Sequence, residues 1–588
     1  MFESILVANR GEIAVRILRT AREMGIRAIA VFSDADEGAL WTRIADEAHR
    51  LGAALAADSY LNIARLIEVA MTSRATAIHP GYGLLSESAE FAQAVENAGL
   101  AFIGPDSPTI AMMGDKVEAR RAALACGVPV LPGSDHAVES LDEARTLVDG
   151  IGWPIAVKAS FGGGGRGMRV AATASELAAA LEQAGREAAS AFGRAEVFLE
   201  RYLVRPRHIE VQVLGDAHGN VIHLGDRDCS VQRRHQKLLE EAPAPALPGD
   251  LRSRIAEAAL TLCRSVAYRG AGTVEFLADI SNNAFFFLEM NTRLQVEHGV
   301  TELVTGIDIV RQQIHVASGA PMAIKQDDVV VRGHAIQARI AAEDPWSGFR
   351  PVPGMVRKLR LPQGPWVRLD FGVEAGDVVP QYYDSMFGKI QAWGADRDEA
   401  RARLKLALGT FAAEGVPNTA TYLRSLLDQP DFAAAKHDTG SLERDWQPDE
   451  ADRPAPSVLA AAPATNASVR QVGVPWGARI IDVSVHGISR TDDAAAVSAP
   501  RTQRRADTCG TSGGPLLTSP MDAVIIAIPV VAGERVAKGA PILVLEAMKM
   551  EVVIAAPYDG VVEALHVASG ETVKTGYKLA TVAQVAAA

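Results

Sequence analysis

Glycine stands at positions 162, 163, 164, 165 and 167, directly after an apolar segment that ends in Lys158. Such a run cannot hold the interior of a helix or strand, but its bare N–H groups can close on a polyphosphate. No Lys-Ser/Thr pair follows the last glycine, so this is not a Walker loop; a flexible hinge is the plainer alternative. A second group of residues can be placed by geometry. Gly272–Leu277 and Phe285–Asn291 read as strands joined through the turn-forming Ser281-Asn282-Asn283. A hairpin centred on Asn282 sets Glu275 opposite Glu289, where two bare carboxylates repel unless a divalent cation sits between them. Side-chain alternation then brings Asn291 and Arg293 to the same face, an oxygen-rich cluster suited to Mg²⁺ beside an anion-binding guanidinium. A solvated polar face is the alternative.

A third group combines Arg293-Leu294-Gln295-Val296-Glu297-His298 with the basic run Arg233-Arg234-His235-Gln236-Lys237 and the acidic pair Glu240-Glu241. Arg and Lys hold oxyanions and a carboxylate accepts a proton, so bicarbonate or phosphate suits it; the basic run could equally be an exposed turn. His208, His235 and His298 raise zinc as a ligand, but no HExxH spacing accompanies them. Near the C-terminus, Lys549 lies between Met548 and Met550. Buried β-packing would explain the methionines, but a lysine between them would then be costly.

The elements that must position these residues follow from pattern. Ile5–Ala8, the helical stretch Ile13–Met24 stopped by Gly25, and Ala28–Phe32 read as a βαβ unit of a parallel sheet. The intervening Asn9-Arg10-Gly11-Glu12 lacks the GxGxxG fingerprint of a dinucleotide site. His79-Pro80-Gly81-Tyr82-Gly83 and Phe102-Ile103-Gly104-Pro105 are loops at strand ends. Residues 448–469 and 491–514 have linker composition, and Arg479–His486 between them alternates like a lone strand. Val530–Gly539 recurs as Val567–Gly576, shifted by 37, which implies two similar β-halves facing each other, with Lys549 at a hairpin tip between them.

A chain of 588 residues has room for about four domains at roughly 150 residues each. Its formal charge of −12 argues against nucleic acid or an anionic membrane as the main partner, so phosphate chemistry must be concentrated locally. Cys126, Cys229, Cys263 and Cys509 are too few and scattered for a disulfide framework, which fits a reducing cytoplasm. Neither a signal peptide nor an 18-residue apolar span is read from the sequence.

Val7–Ala14, His79–Gly83, Gly162–Met168, Arg233–Pro245 and Glu289–His298 resemble biotin carboxylase, an ATP-grasp enzyme; Leu545–Glu551 resembles the attachment hairpin of a biotin carboxyl carrier. The similarity covers about residues 2–446 and 515–584, and the two modules together resemble the alpha subunit of an acyl-CoA carboxylase. The resemblance implies α/β and α+β architecture. Its parts are a Rossmann-like N-terminal domain (1–115), an ATP-grasp region with a mobile lid (116–204), and the ATP-grasp remainder with a biotin carboxylase C-terminal domain (205–446). A linker with a docking segment (447–514) and an all-β flattened-barrel or sandwich biotinyl domain (515–588) complete it.

The resemblance also implies roles. Lys116, Lys158, Gly163, Gly164, Gly165 and Gly167 would hold ATP phosphates, with Glu200, Leu203, His208, Gln232 and His235 around the adenine and ribose. Glu275, Glu289 and Asn291 would bind Mg²⁺ or Mn²⁺; Lys237, Arg293, Gln295 and Val296 would bind bicarbonate. Glu297 would be the base, Arg339 would stabilise charge on biotin, and Lys549 would carry the biotin covalently. Expected partners are a separate carboxyltransferase beta subunit, biotin protein ligase and further copies of the chain within a hetero-oligomer. The acyl-CoA acceptor, whether acetyl, propionyl or longer, stays open. Two departures stand out: Gly299 replaces the family's usual Pro and is expected to loosen the base loop, and Asp522-Ala523 replaces Pro-Gly in the carrier's first turn. Competing readings are another ATP-grasp ligase with a lipoyl-like tail, and a non-catalytic biotin carrier scaffold.

Overall fold

The computed structural model describes residues 1–134, 136–138, 140–159, 168–192, 196–454, 469–476, 479–486, 516–547 and 550–584. The glycine run and Lys549 lie outside them.

The apolar runs at the N-terminus form a five-stranded parallel sheet, in which Ser4–Val7 pairs with Arg27–Phe32 on one side and Ala77–His79 on the other. Its strands are buried on both faces, as a parallel sheet flanked by helices requires. The first helix, Gly11–Glu23, packs Ile13, Ile17 and Leu18 beneath it. Two sequence motifs interlock at the strand ends: Asn9 Nδ2 donates to the carbonyls of Pro80 at 2.7 Å and Tyr82 at 2.8 Å. A Cβ on Gly81 would meet that amide at 2.8 Å, and Gly81 has φ +66°, so only glycine fits there.

The central element is an eight-stranded antiparallel sheet. Its order is Ala284–Asn291, Gly270–Asp279, Arg207–Gly215, Val221–Arg233, Gln236–Ala242, His334–Ala341, Met386–Gly394, Val367–Phe371. It runs without interruption through the stretch 205–446, because Gln236–Ala242 pairs directly with His334–Ala341. In Arg207–Gly215, alternation sends Ile209, Val211 and Val213 into a core with the helix Gly249–Ser265, while His208, Glu210 and Gln212 take the other face. That polar face is buried too, and its charges need internal partners. A three-stranded sheet of Met168–Ala171, Ile155–Ala159 and Val197–Arg201 stands apart with its own small core.

The C-terminal unit follows the repeat closely. Ala523–Ala527, Arg535–Val536 and Pro541–Ala547 recur 37 residues later as Gly560–Leu565, Thr572–Val573 and Lys578–Gln584, in two four-stranded sheets around one core. The turns repeat as well: Gly533 N donates to Val562 O and Gly570 N to Ile525 O, each at 2.7 Å. Asp522 takes part in this construction, since its carboxylate accepts from Thr575 N at 2.7 Å. Arg479–His486 is not a lone strand: it pairs along its length with Val469–Trp476 in an antiparallel ribbon. The sequence reading missed the partner because Gly473 and Pro475 dilute its alternation.

Candidate active site

One line of register crosses four strands of the central sheet. Glu289 faces Glu275, Glu275 faces Glu210, and Glu210 faces Arg227. The expected Glu275–Glu289 pairing is present, but the turn alone does not set it. From Asp279 to Phe276 the hairpin runs in a register that would put Leu288 opposite Glu275, and a bulge at Leu288 shifts Glu289 into place.

Three buried carboxylates, Glu210, Glu275 and Glu297, converge on Lys237. Its Nζ lies 3.0 Å from Glu275 and 2.9 Å from Glu297, and it also pairs closely with Glu210. The other oxygen of Glu297 accepts from Arg339 Nη2 at 2.9 Å, while Arg339 Nε pairs with Glu240. Burial by itself would raise the Glu297 carboxyl, but Lys237, Arg339 and Arg227 outweigh it and hold the group well below the usual carboxylate range. Burial likewise disfavours the Lys237 charge, and the surrounding glutamates more than offset this, so its ammonium persists far above its ordinary value. Cys229 sits beneath, its thiol 3.9 Å from Glu297, and burial pushes it well up and keeps it neutral.

Arg293 leads away from this centre. It donates to Asn291 Oδ1 at 2.7 Å, to Gln295 Oε1 at 3.1 Å and to Glu87 Oε2 at 2.8 Å. Asn291, Gln295 and His208 each donate to or share a proton with Glu275, at 2.8, 3.0 and 2.8 Å. Val296 turns its carbonyl to Lys389 Nζ at 2.8 Å, and that fully buried lysine also pairs with Glu12 at 2.9 Å.

The residues expected to line the nucleotide come from other elements. Lys116 opens the helix Lys116–Ala125, capped by Asp115, and its charge is felt by Glu289. Lys158 on the separate three-stranded sheet pairs with Glu200, and Arg120 approaches Glu200 at 3.7 Å. Leu203 is half-buried, Gln232 is buried and His235 lies at a hairpin tip. Arg233 and Arg234, part of the same basic run, do not enter the cluster: Arg233 stacks on Phe349 and donates to Gly348 O at 3.0 Å, and Arg234 is exposed. The sequence reading missed Glu210, Arg227, Glu87, Glu12 and Lys389. The alternation of Arg207–Gly215 puts Glu210 on the site face, but the others act across large sequence separations that no local pattern reports.

An antiparallel sheet with a buried cation–carboxylate cluster, faced by a smaller sheet that carries a lysine, is the architecture of an ATP-grasp ligase. Family comparisons agree. Residues 1–110 match the biotin carboxylase N-terminal domain, 115–325 the ATP-binding domain of the carbamoyl-phosphate synthase L chain, 337–444 the biotin carboxylase C-terminal domain and 515–582 a biotin-requiring enzyme domain. The chain is 49% identical over 442 residues to a biotin carboxylase of Nostoc, covering 75% of this chain and 99% of that protein. It is 48% identical over 442 residues to the mitochondrial methylcrotonoyl-CoA carboxylase alpha subunit of Arabidopsis thaliana, covering 75% of this chain and 60% of that one. Among solved structures, the biotin carboxylase domain of Hydrogenobacter thermophilus 2-oxoglutarate carboxylase, in complex with MgADP, ADP and bicarbonate, is 42% identical. The TM-score is 0.71, over 75% of this chain and 97% of that one. The chain therefore belongs to the biotin carboxylase family, and it joins that enzyme to a biotin-type carrier domain of its own.

Proposed function

We propose that the Lys237–Glu297–Arg339 cluster carboxylates biotin held on Lys549, using ATP and bicarbonate. The observation that carries this is a carboxylate, Glu297, gripped on both oxygens by cations in a buried site. In that state it is ionised but weakly basic. An anionic substrate that draws Lys237 and Arg339 onto itself strengthens the base at the moment a proton must be taken.

Bicarbonate fits between Arg293, Lys237 and the Gln295–Val296 backbone. Its hydroxyl proton passes to Glu297, its oxygen bonds to the γ-phosphorus of ATP, and the bond to the β–γ bridging oxygen breaks to release ADP. The carboxyphosphate formed breaks at its C–O bond into CO₂ and phosphate. Lys116 and Lys158 neutralise phosphate charge, while Glu200, Leu203, His208, Gln232 and His235 line the base and ribose, with the glycine run over the phosphates.

Glu275, Glu289 and Asn291 supply the hard oxygen donors that Mg²⁺ or Mn²⁺ takes. Their fit is supported by Glu289, whose carboxyl is raised by burial and then by the facing Glu275. A divalent ion held there would supply charge neutralisation for the phosphates. Biotin on Lys549 would supply the nitrogen that accepts CO₂, its N–H proton passing to the phosphate released from carboxyphosphate, and Arg339 offers a fork for the charge on its ureido oxygen.

The same reading divides the chain at 115, 204, 446 and 514 and makes it the alpha subunit of an acyl-CoA carboxylase, served by biotin protein ligase and a separate carboxyltransferase beta subunit. The alpha-subunit relative supports it; the 2-oxoglutarate relative keeps a keto-acid acceptor as the second reading. Bicarbonate-dependent ATP cleavage with free biotin should fall by about 100-fold or more in Glu297→Gln. Unchanged cleavage overturns the assignment. Streptavidin capture lost in Lys549→Ala checks the carrier, and an acyl-CoA and keto-acid panel on the co-purified complex decides the acceptor.

A further inference from the structure

Asn9-Arg10-Gly11-Glu12 and His79-Pro80-Gly81-Tyr82-Gly83 have no part in the reaction scheme, yet together they fix one loop. Residues 80–88 connect the strand Ala77–His79 to the helix Ala89–Asn97. Asn9 Nδ2 ties down the first half of the loop through the Pro80 and Tyr82 carbonyls, and the Tyr82 hydroxyl pairs with Glu12. The second half turns tightly: Ser86 N donates to Gly83 O at 3.0 Å and Ser88 N to Leu85 O at 3.1 Å. Leu84 is left-handed there, φ +48°, a conformation costly for leucine that its packing against the Phe91 core sustains. Ser88 then caps the helix, accepting from Phe91 N at 3.1 Å. Held at both ends, the loop presents Glu87 at a set position.

Glu87 reaches across to the central sheet. Its Oε2 accepts from Arg293 Nε at 2.8 Å and its Oε1 from Thr292 N at 3.2 Å. Among the described residues it is the one carboxylate in ion-pair contact with Arg293. It takes the guanidinium by the inner nitrogen and leaves the outer two to the pocket, where Nη2 donates to Asn291 Oδ1 at 2.7 Å and Nη1 to Gln295 Oε1 at 3.1 Å. A guanidinium is planar, so holding Nε fixes the plane in which the outer fork is offered to an anion. The bond to Thr292 N pins the backbone just before Arg293 as well. This pair adds little to folding, because the Glu87 side chain is 39% exposed and an ion pair open to water is weak.

Resting on the carboxylase reading above, we infer that Glu87 is a positioning residue for bicarbonate: by holding Arg293 Nε it aims the outer fork of that guanidinium into the pocket. The two N-terminal motifs hold the loop that presents it. Glu87 acts through Arg293 and Thr292 alone, so its effect falls on how bicarbonate is held, while the ATP phosphates are met by lysines of other elements.

The test is bicarbonate saturation of ATP cleavage by the full-length chain with free biotin. Glu87→Gln keeps the shape and removes the charge; it should raise the bicarbonate KM about tenfold and leave kcat and the ATP KM within about twofold. Glu87→Asp, which keeps the charge on a shorter stem, should raise the same KM about threefold. In an Arg293→Lys background, which lacks the guanidinium Nε, adding Glu87→Gln should change the bicarbonate KM by less than about twofold, the non-additivity of two residues acting as one unit. Denaturant midpoints of the wild type and Glu87→Gln should agree. An unchanged bicarbonate KM in Glu87→Gln, an equal rise in the ATP KM, a loss carried by kcat instead, or full additivity with Arg293→Lys overturns the positioning role. A wild-type chain whose ATP cleavage does not respond to bicarbonate overturns the carboxylase reading itself.

Discussion

Gly299 shows how one residue is read differently once its neighbours are known. The family's usual Pro would suit the backbone here, because position 299 is in the first turn of the helix His298–Thr305, where no N–H partner is required. The side chain does not fit: a Cβ on Gly299 would lie 2.0 Å from Gln391 Oε1. Gln391, fixed to Asp370 at 2.8 Å, fills the space the ring would take, so the loop is packed, not loosened. Gly299→Pro should destabilise by about 1–3 kcal/mol and raise the bicarbonate KM, and Gln391→Ala should relieve both, as denaturation and steady-state kinetics on the single and double variants will show. Glu343 offers a second residue-scale test. Buried against Ser385, with Asp384 and Arg233 nearby, it is pushed up to about 7, chiefly by burial. Between the ordinary carboxyl range and that value the folded chain holds a proton that the unfolded chain has released. Stability should therefore decline as pH rises through this window, by at most about 3 kcal/mol, and level off above it. Glu343→Gln should remove that part of the slope in denaturant titrations at pH 5.5 and 8.

At the scale of elements, the site depends on register. The hairpin of Gly270–Asp279 and Ala284–Asn291 bulges at Leu288; were that residue paired regularly instead, it would face Glu275 and Glu289 would turn to the opposite face. Deleting Leu288 makes Phe276–Phe287 and Glu275–Glu289 consecutive pairs, so it should leave the sheet intact by circular dichroism and retain Mg²⁺-dependent ATP cleavage, which Glu289→Ala should lower by about 100-fold. The sequence placed Glu275 opposite Glu289 by symmetry about Asn282, reaching the right pair through a simpler turn than the one that forms. The βαβ start and the 37-residue repeat were legible because their signals are local: apolar runs bounded by glycine, and turn chemistry repeated at fixed spacing. The Val469–Trp476 partner of Arg479–His486 was not, since its pattern is too weak to register alone.

At the scale of the molecule, three separate stretches meet at Lys389. Its ammonium is buried among Glu12 from the N-terminal helix, the Val296 carbonyl of the loop that carries Glu297 and, over the ring face at 5.9 Å, Tyr82. Burial raises the Glu12 carboxyl even against the attraction of Lys389, so removing the lysine leaves an acid with no cation. Lys389→Met should cost about 3 kcal/mol and raise the bicarbonate KM more than it lowers free-biotin binding, measured by denaturation and kinetics on the same preparation. Among the described residues no helix is long and apolar enough to cross a membrane.

The sequence by itself pointed to the classes of chemistry, because a glycine run, a basic run and a methionine-flanked lysine are written in contiguous residues and the paired carboxylates lie within one short hairpin. It also determined the strands that carry them, because hydrophobic alternation acts over a few positions. Only the tertiary structure decided that Lys237 answers to three glutamates, that Gln391 stands in for a proline and that Arg233 and Arg234 face away from the reaction. These depend on side chains tens to hundreds of residues apart sharing one buried volume, where each charge must find its partner or be neutralised. No spacing along the chain encodes which partner that will be.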